Sequence, residues 1–212
     1  MSSPTHAAPA SSDGIAASPR LPLRRPPYDE DTARNIENTA FTGLSPRNLR
    51  LALAHNPTMG RHFQAMAQAV LFQAEVDLRV KEIAIIRTGA LTRSEYVWGM
   101  HVSIFGEQAG LDDDAIRDLT LAPGWRDLRD ARWTDAERLA VRMVDELHFQ
   151  SGISDETWTR MNATWPPEQF IELIFASGVY HLASFFLNSA AVPLEDGQAR
   201  FPGEMQPMEK PK

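Results

Sequence analysis

Residues 78–109, LRVKEIAIIRTGALTRSEYVWGMHVSIFGEQA, decide the fold of this chain. Wound at about 100° per residue, residues 78–91 set Glu82 among Leu78, Ile85, Ile86 and Gly89, in the middle of an apolar stripe. Residues 95–109 do the same for His101, which falls between Val97, Trp98, Ile104 and Phe105 while Glu95, Ser103 and Glu107 share the opposite side. The spacing predicts two consecutive helices, each aiming one ionisable group at the core. Burying either group alone is costly or neutralises it, so the two are expected to meet, directly or through water. Each residue singly has a plainer reading. Glu82 could pair at the surface with Arg79 or Arg87, and His101 could be a hydrogen-bonded core histidine. Their coincidence on adjacent helices points to a functional site.

Working outward, every signal is helical. Ser45-Pro46 reads as a cap followed by proline at the first helical position, and Asn56-Pro57 stops that helix. Asp77 can cap the Glu82 helix and Ser94 the His101 helix, which Gly110 closes. Thr134-Asp135-Ala136-Glu137 has the form of a capping box, starting a helix to about His148. Ser154-Asp155-Glu156 starts a short one, and Pro166-Pro167 opens the longest, to about Ala191. No segment shows sustained strand alternation, so the fold class is all-α. In the last helix Phe170, Ile174, Phe175, Val179, Leu182, Phe185, Phe186 and Leu187 point all round, as expected of a helix buried on every side. In a domain this small, that predicts a subunit interface. Ser177, His181, Ser184 and Asn188 form a polar stripe on the same helix, serving either interhelical hydrogen bonding or a pocket opposite His101.

The chain has 212 residues, 43% of them hydrophobic, and a formal charge of −7. It can bury one good core and has no electrostatic reason to bind nucleic acid. No run reaches the roughly 18 apolar residues of a membrane helix, so no membrane partner is expected. Residues 1–27, rich in Ala, Ser and Pro, read as a disordered tail despite the faint transit-peptide character of Arg20, Arg24 and Arg25. A single domain is expected over 28–200, with a second tail over 201–212 and a cytoplasmic location. The chain has no cysteine, which excludes disulfides and thiolate metal sites.

The stretch from Glu82 to His101, followed by Gly110-Leu111 and an acidic helix start, resembles the carboxymuconolactone decarboxylase and alkylhydroperoxidase-like superfamily. So do WTDAERLAVRMVDELH and YHLASFFLNSAAVPLEDG, and the resemblance covers roughly residues 45–195. The peroxidase branch carries a Glu and then Cys-x-x-Cys-x-x-x-His. Here Ser94 and Val97 stand at the two cysteine positions, while Glu82 and His101 keep theirs. A thiol peroxidase needs a thiolate, so the departure removes that activity and leaves the cysteine-less, decarboxylase-like branch. The resemblance implies a compact, multi-helix, alkylhydroperoxidase-like domain that forms trimers or hexamers with sites near subunit boundaries, and a role in aromatic compound catabolism.

The chemistry expected of such a site is cofactor-free proton transfer at carbon. Loss of carbon dioxide from a small organic acid or carboxylated lactone leaves an enolate-like carbanion that must be protonated. His101 is suited to supply the proton, and Glu82 to hold the imidazole tautomer and support its charged form. Tyr96, Trp98, Ser94 and His181 are candidate substrate contacts, and Arg87 or Arg93 could hold a substrate carboxylate. An isomerase or hydratase using the same pair, and a non-catalytic oligomer, are the alternatives. A metal held by Glu82, His101 and His181 is conceivable, but no ligand-spaced motif supports one, and none is expected. His148 reads as a charge near a helix C-terminus, while His55 and His62 read as exposed.

Overall fold

The computed structural model describes residues 19–37, 43–129, 131 and 133–203. Along them run α1 (Glu30–Ile36), α2 (Arg47–Leu53), α3 (Pro57–Gln68), α4 (Leu78–Leu91), α5 (Glu95–Phe105), α6 (Asp113–Leu121), α7 (Asp135–Gln150), α8 (Asp155–Thr164) and α9 (Pro167–Ala190). A π-helical turn at Ala69–Gln73 continues α3, and a single 3-10 turn spans Trp125–Asp127. Among the described residues there is no strand, and the fold is all-α.

The bundle is built around α4. Asp77 starts it as expected, its carboxylate accepting the N–H groups of Arg79 at 2.9 Å and Val80 at 3.3 Å. Its neighbours are α5, α6, α7 and α9. Ile85 packs with Tyr96, Met100, Val179 and Leu187; Ile83 and Ile86 with Trp98, Leu119 and Val141; and Val80 and Ala84 with Met143, Met161 and Leu173. Every residue from Val80 to Leu91 is buried, so the expected apolar stripe is instead a helix enclosed on all sides. Polar side chains there must find partners inside the protein. Lys81 donates to the Leu71 carbonyl at 2.7 Å and Thr88 to that of Ala84 at 2.9 Å. Gly89 lets α5 approach closely, since a Cβ there would sit 2.9 Å from the Trp98 backbone nitrogen.

Other ends depart from the sequence expectations in detail. Helix α2 ends at Leu53, before the stop expected at Asn56-Pro57, and the Asn56 side chain instead caps α3 by accepting the Met59 N–H at 3.2 Å, with Pro57 at the first helical position. Pro46 occupies the cap position of α2 rather than its first turn, and the Ser45 hydroxyl accepts from Arg50 at 3.1 Å. The capping box forms at Thr134 and Glu137. The boundary expected at residue 27 moves, because the Arg20 and Leu21 N–H groups both donate to the Ala190 carbonyl, at 2.9 and 3.2 Å. Leu21 and Leu23 then pack on the apolar cluster below. At the other end the Phe201 N–H donates to Glu95 at 3.0 Å and its ring lies 5.0 Å from that of Trp98. The remainder of the two expected tails, residues 1–18 and 204–212, lies outside the described residues.

The last helix is not buried all round in the single chain. Phe170, Leu173, Ala176, Val179, Ala183 and Leu187 face the bundle, while Ile171, Phe175, Leu182 and Phe185 lie about half exposed or more, in a row on the other face. Their spacings of four, seven and three residues place them on one side of the helix. By length and composition α9 is the one described helix that could cross a membrane, and half of its apolar window is buried inside the bundle.

Candidate functional site

The two ionisable groups of α4 and α5 meet. His101 Nδ1 lies 2.7 Å from Glu82 Oε2, and both side chains are buried. A carboxylate only accepts, so Nδ1 carries the proton and donates, which leaves Nε2 as the basic position of the neutral ring. The second carboxylate oxygen, Glu82 Oε1, is buried with no hydrogen-bond partner among the described residues. Two aromatic rings pack against the imidazole: Tyr180 edge-on at 4.5 Å and Phe105 tilted at 5.5 Å between centroids.

His101 faces a cavity that is partly open to solvent. Its wall comes from the α2–α3 region through Pro46, Leu49, Phe63, Ala67 and Leu71, and from α5 and α9 through Met100, Ile104, Phe105, Ala183 and Leu187. Among the described residues of this wall, only Tyr96, His101 and Tyr180 carry a side-chain nitrogen or oxygen. The Tyr96 hydroxyl is already engaged, donating to Glu195 and accepting from the Leu49 N–H at 3.1 Å. Burial holds both phenols well above the usual range, helped at Tyr96 by the Glu195 charge and at Tyr180 by that of Glu82. Both therefore stay neutral donors at physiological pH.

The structure sorts the sequence-based candidates. Tyr96 borders the cavity through its ring. Trp98 does not: its indole N–H donates to Thr120 at 2.9 Å and its ring packs with Ile83, Ile86 and Leu119. Ser94 is buried at the start of α5, makes no cap bond, and its hydroxyl has no partner among the described residues. It is absent from the wall around His101. Arg87 is wholly buried, donating to Asp145 at 2.7 Å and to the carbonyls of Leu119 and Ala122 at 3.0 and 2.8 Å. A guanidinium so used holds α6 and α7 to α4 and cannot reach a substrate in this cavity. Tyr180 was not singled out by its spacing, because an aromatic residue on a helix rich in Phe carries no distinguishing signal.

His181 also turns away from His101. Its Nδ1 donates to the Ser177 carbonyl at 2.8 Å, and its Nε2 lies 3.0 Å from Nδ1 of His148. The polar stripe of α9 thus serves interhelical bonding. Thr92 donates to Ser184 at 2.9 Å, and Asn188 to the Thr92 carbonyl at 2.9 Å. Burial, then His181 and Arg87, push His148 down to about 4, so it stays neutral near pH 7 and is not the helix-end charge expected from its position. His55 and His62 are exposed as expected, and His55 Nε2 lies 2.7 Å from the Pro22 carbonyl. Among the described residues no three histidine or acidic side chains come together as a metal site.

Residues 57–142 match the carboxymuconolactone decarboxylase family, a stretch from the start of α3 into α7 that contains both Glu82 and His101. The match spans less than half of the 212-residue chain, which is similar to that family over this stretch. The chain has no cysteine, and Ser94 and Val97 lie within the matched stretch. Two solved structures share the fold. One is an Agrobacterium tumefaciens protein of unknown function, described as a candidate AhpD antioxidant defence protein, 16% identical at a TM-score of 0.60 over 68% of this chain and 94% of the other. The second is a cysteine-to-alanine variant of the debrominase Bmp8 in complex with 2,3,4-tribromopyrrole, 13% identical at a TM-score of 0.61, covering 79% of this chain and 85% of that one. At such identities the likeness extends to the fold. None of the curated proteins matches the chain significantly.

Proposed function

We propose that this chain is a cofactor-independent enzyme that moves protons at carbon, with His101 as the acid–base group and Glu82 as its orienting partner. The observation that carries this reading is the 2.7 Å contact between Glu82 and His101 Nδ1 at the edge of a cavity. The carboxylate fixes the tautomer and supports the imidazolium, and Nε2 gives or takes the proton. The match to the carboxymuconolactone decarboxylase family over residues 57–142 supports a carbon–carbon lyase, in which a small organic acid or carboxylated lactone loses carbon dioxide and His101 protonates the resulting carbanion. A second reading, an isomerase or hydratase, is favoured by the wall of the cavity. No lysine or arginine among the described residues lines it, so a substrate carboxylate would have only the imidazolium among them to pair with.

The test needs no cofactor. Purified protein in D2O, offered a panel of carboxylated lactones and cyclic ketones, is expected to place deuterium on carbon in a His101-dependent manner. Release of carbon dioxide separates the lyase from the isomerase. Uptake equal in wild type and His101→Ala, or none at all across the panel, overturns the assignment and leaves a non-catalytic oligomer.

A further inference from the structure

With Tyr96 engaged by Glu195 and Leu49, two directional groups remain among the described residues of the wall, His101 Nε2 and the Tyr180 hydroxyl. None of the described wall residues is Lys, Arg, Asp or Glu. Arg50 borders the adjoining cavity instead, past the shared wall of Leu49, Phe63 and Leu71, and its guanidinium donates to the Ile36 carbonyl and the Ser45 hydroxyl. A carboxylate or phosphate entering beside His101 would shed its hydration against Leu, Ile, Met and Phe side chains. An uncharged ring would gain apolar burial there and lose little.

We propose that this cavity takes a compact, uncharged ring compound bearing one carbonyl oxygen, and that Tyr180 is a further catalytic residue, donating its O–H to that oxygen while His101 works on the adjacent carbon. The proposal rests on the acid–base assignment of His101 and narrows its substrate class. The step is balanced without a co-reactant. His101 Nε2 takes a proton from the carbon next to the carbonyl, and the C–H electron pair moves in to form the enolate. The enolate oxygen is held by the Tyr180 O–H, and the imidazolium returns the proton to the same or the conjugated carbon. Tyr180 suits the part because its ring packs edge-on to the imidazole and its side chain lines the same cavity. Burial and the Glu82 charge keep the phenol protonated throughout.

Cyclohexanone and cyclohexanecarboxylate present one ring with and without charge. Both are titrated by NMR into the native protein at pH 7, and α-deuterium uptake into cyclohexanone is then followed in D2O. The ketone is expected to bind at least about tenfold tighter than the carboxylate. Tyr180→Phe keeps the ring contact with His101 and is expected to weaken ketone binding by roughly threefold to tenfold. It should slow uptake by about a hundredfold. Carboxylate binding equal to or tighter than ketone binding overturns the substrate class, and full ketone affinity and uptake in Tyr180→Phe overturns the role of the phenol. Tight ketone binding with no His101-dependent uptake supports the substrate class while sinking the acid–base function on which it was built.

Discussion

Replacing Arg87 by Met should destabilise the protein severely while leaving the reacting groups in place. Arg87 is wholly buried and spends three hydrogen bonds on Asp145, Leu119 and Ala122. Methionine fills much of the volume but donates nothing. The Asp145 carboxylate, buried and retaining only the Trp125 N–H at 2.7 Å, becomes an uncompensated charge, and two carbonyls lose their donor. Breaking one partner of a buried pair in this way costs about 3–5 kcal/mol. In a chain of this size that is a fall in Tm on the order of 10 °C. Urea unfolding at fixed protein concentration, followed by circular dichroism, measures it. Burial already raises the Asp145 carboxyl above the usual range, and Arg87 opposes that rise. A raised folded-state value means the folded chain holds the proton more tightly, so its stabilising effect is present at acid pH and lost as pH climbs through that value. Without Arg87 the rise is larger. The deficit of Arg87→Met should therefore grow from acid toward neutral pH, and Arg87→Met with Asp145→Leu should recover part of it. A variant that loses less than about 1 kcal/mol at neutral pH, yet binds substrate poorly, would refute the structural assignment and restore Arg87 as a substrate cation.

Four further outcomes are expected. His101→Ala should lower turnover of the true substrate by roughly a hundredfold to ten-thousandfold, and Glu82→Gln by less, with a shifted pH profile because the amide no longer supports the imidazolium; steady-state kinetics on variants shown to be folded decide this. With an alkyl hydroperoxide and a dithiol reductant the protein should show no turnover beyond the uncatalysed rate, and metal- and haem-independent turnover would contradict the exclusion drawn from the missing thiols. The exposed row of Ile171, Phe175, Leu182 and Phe185 should associate chains, so light scattering at low micromolar concentration should give a multiple of 23.7 kDa, and a stable monomer would count against a site near a subunit boundary. His148 is lowered to about 4, so its contribution to stability is present above its unfolded value and lost as pH falls toward 4. NMR titration of its ring, with His148→Asn flattening that stretch of the stability curve, checks the assignment.

The part of the site legible in the sequence was the part governed by period. Glu82 and His101 each stand among apolar neighbours at helical spacing, and a charged group so placed must meet something. Fold class followed from the same repeats and from caps whose side chains bond within their own helix, as at Asp77 and Thr134. What period does not determine is the direction from which a helix is covered. Trp98 shares the His101 side of α5 on a helical projection, yet it packs toward α6 while His101 faces α9 and the cavity. Arg87 shows the same limit on α4. An arginine five residues from Glu82 is equally compatible with substrate and with a buried partner, and only the arrival of Asp145 from α7 decides for the partner.

The cavity was least legible of all because its wall is assembled from segments that carry no chemical signature. Asn56-Pro57 reads as a stop, and the residues beyond it, Phe63, Ala67 and Leu71, carry helical spacing but no chemical group that marks a site, yet with Pro46 and Leu49 they close one side of the space beside His101. This matters for function because the wall sets the cost of charge. An acid–base pair can act on a carboxylated or an uncharged carbon acid, and the pair itself does not choose between them. The choice is made by what surrounds it: Met100, Ile104 and Phe105 on α5, and Ala183 and Leu187 on α9, none of which can solvate an anion. The decarboxylase reading implied by the resemblance therefore needs a cation that the described wall residues do not supply. The phenol of Tyr180, a neutral donor, is the group the wall provides in its place.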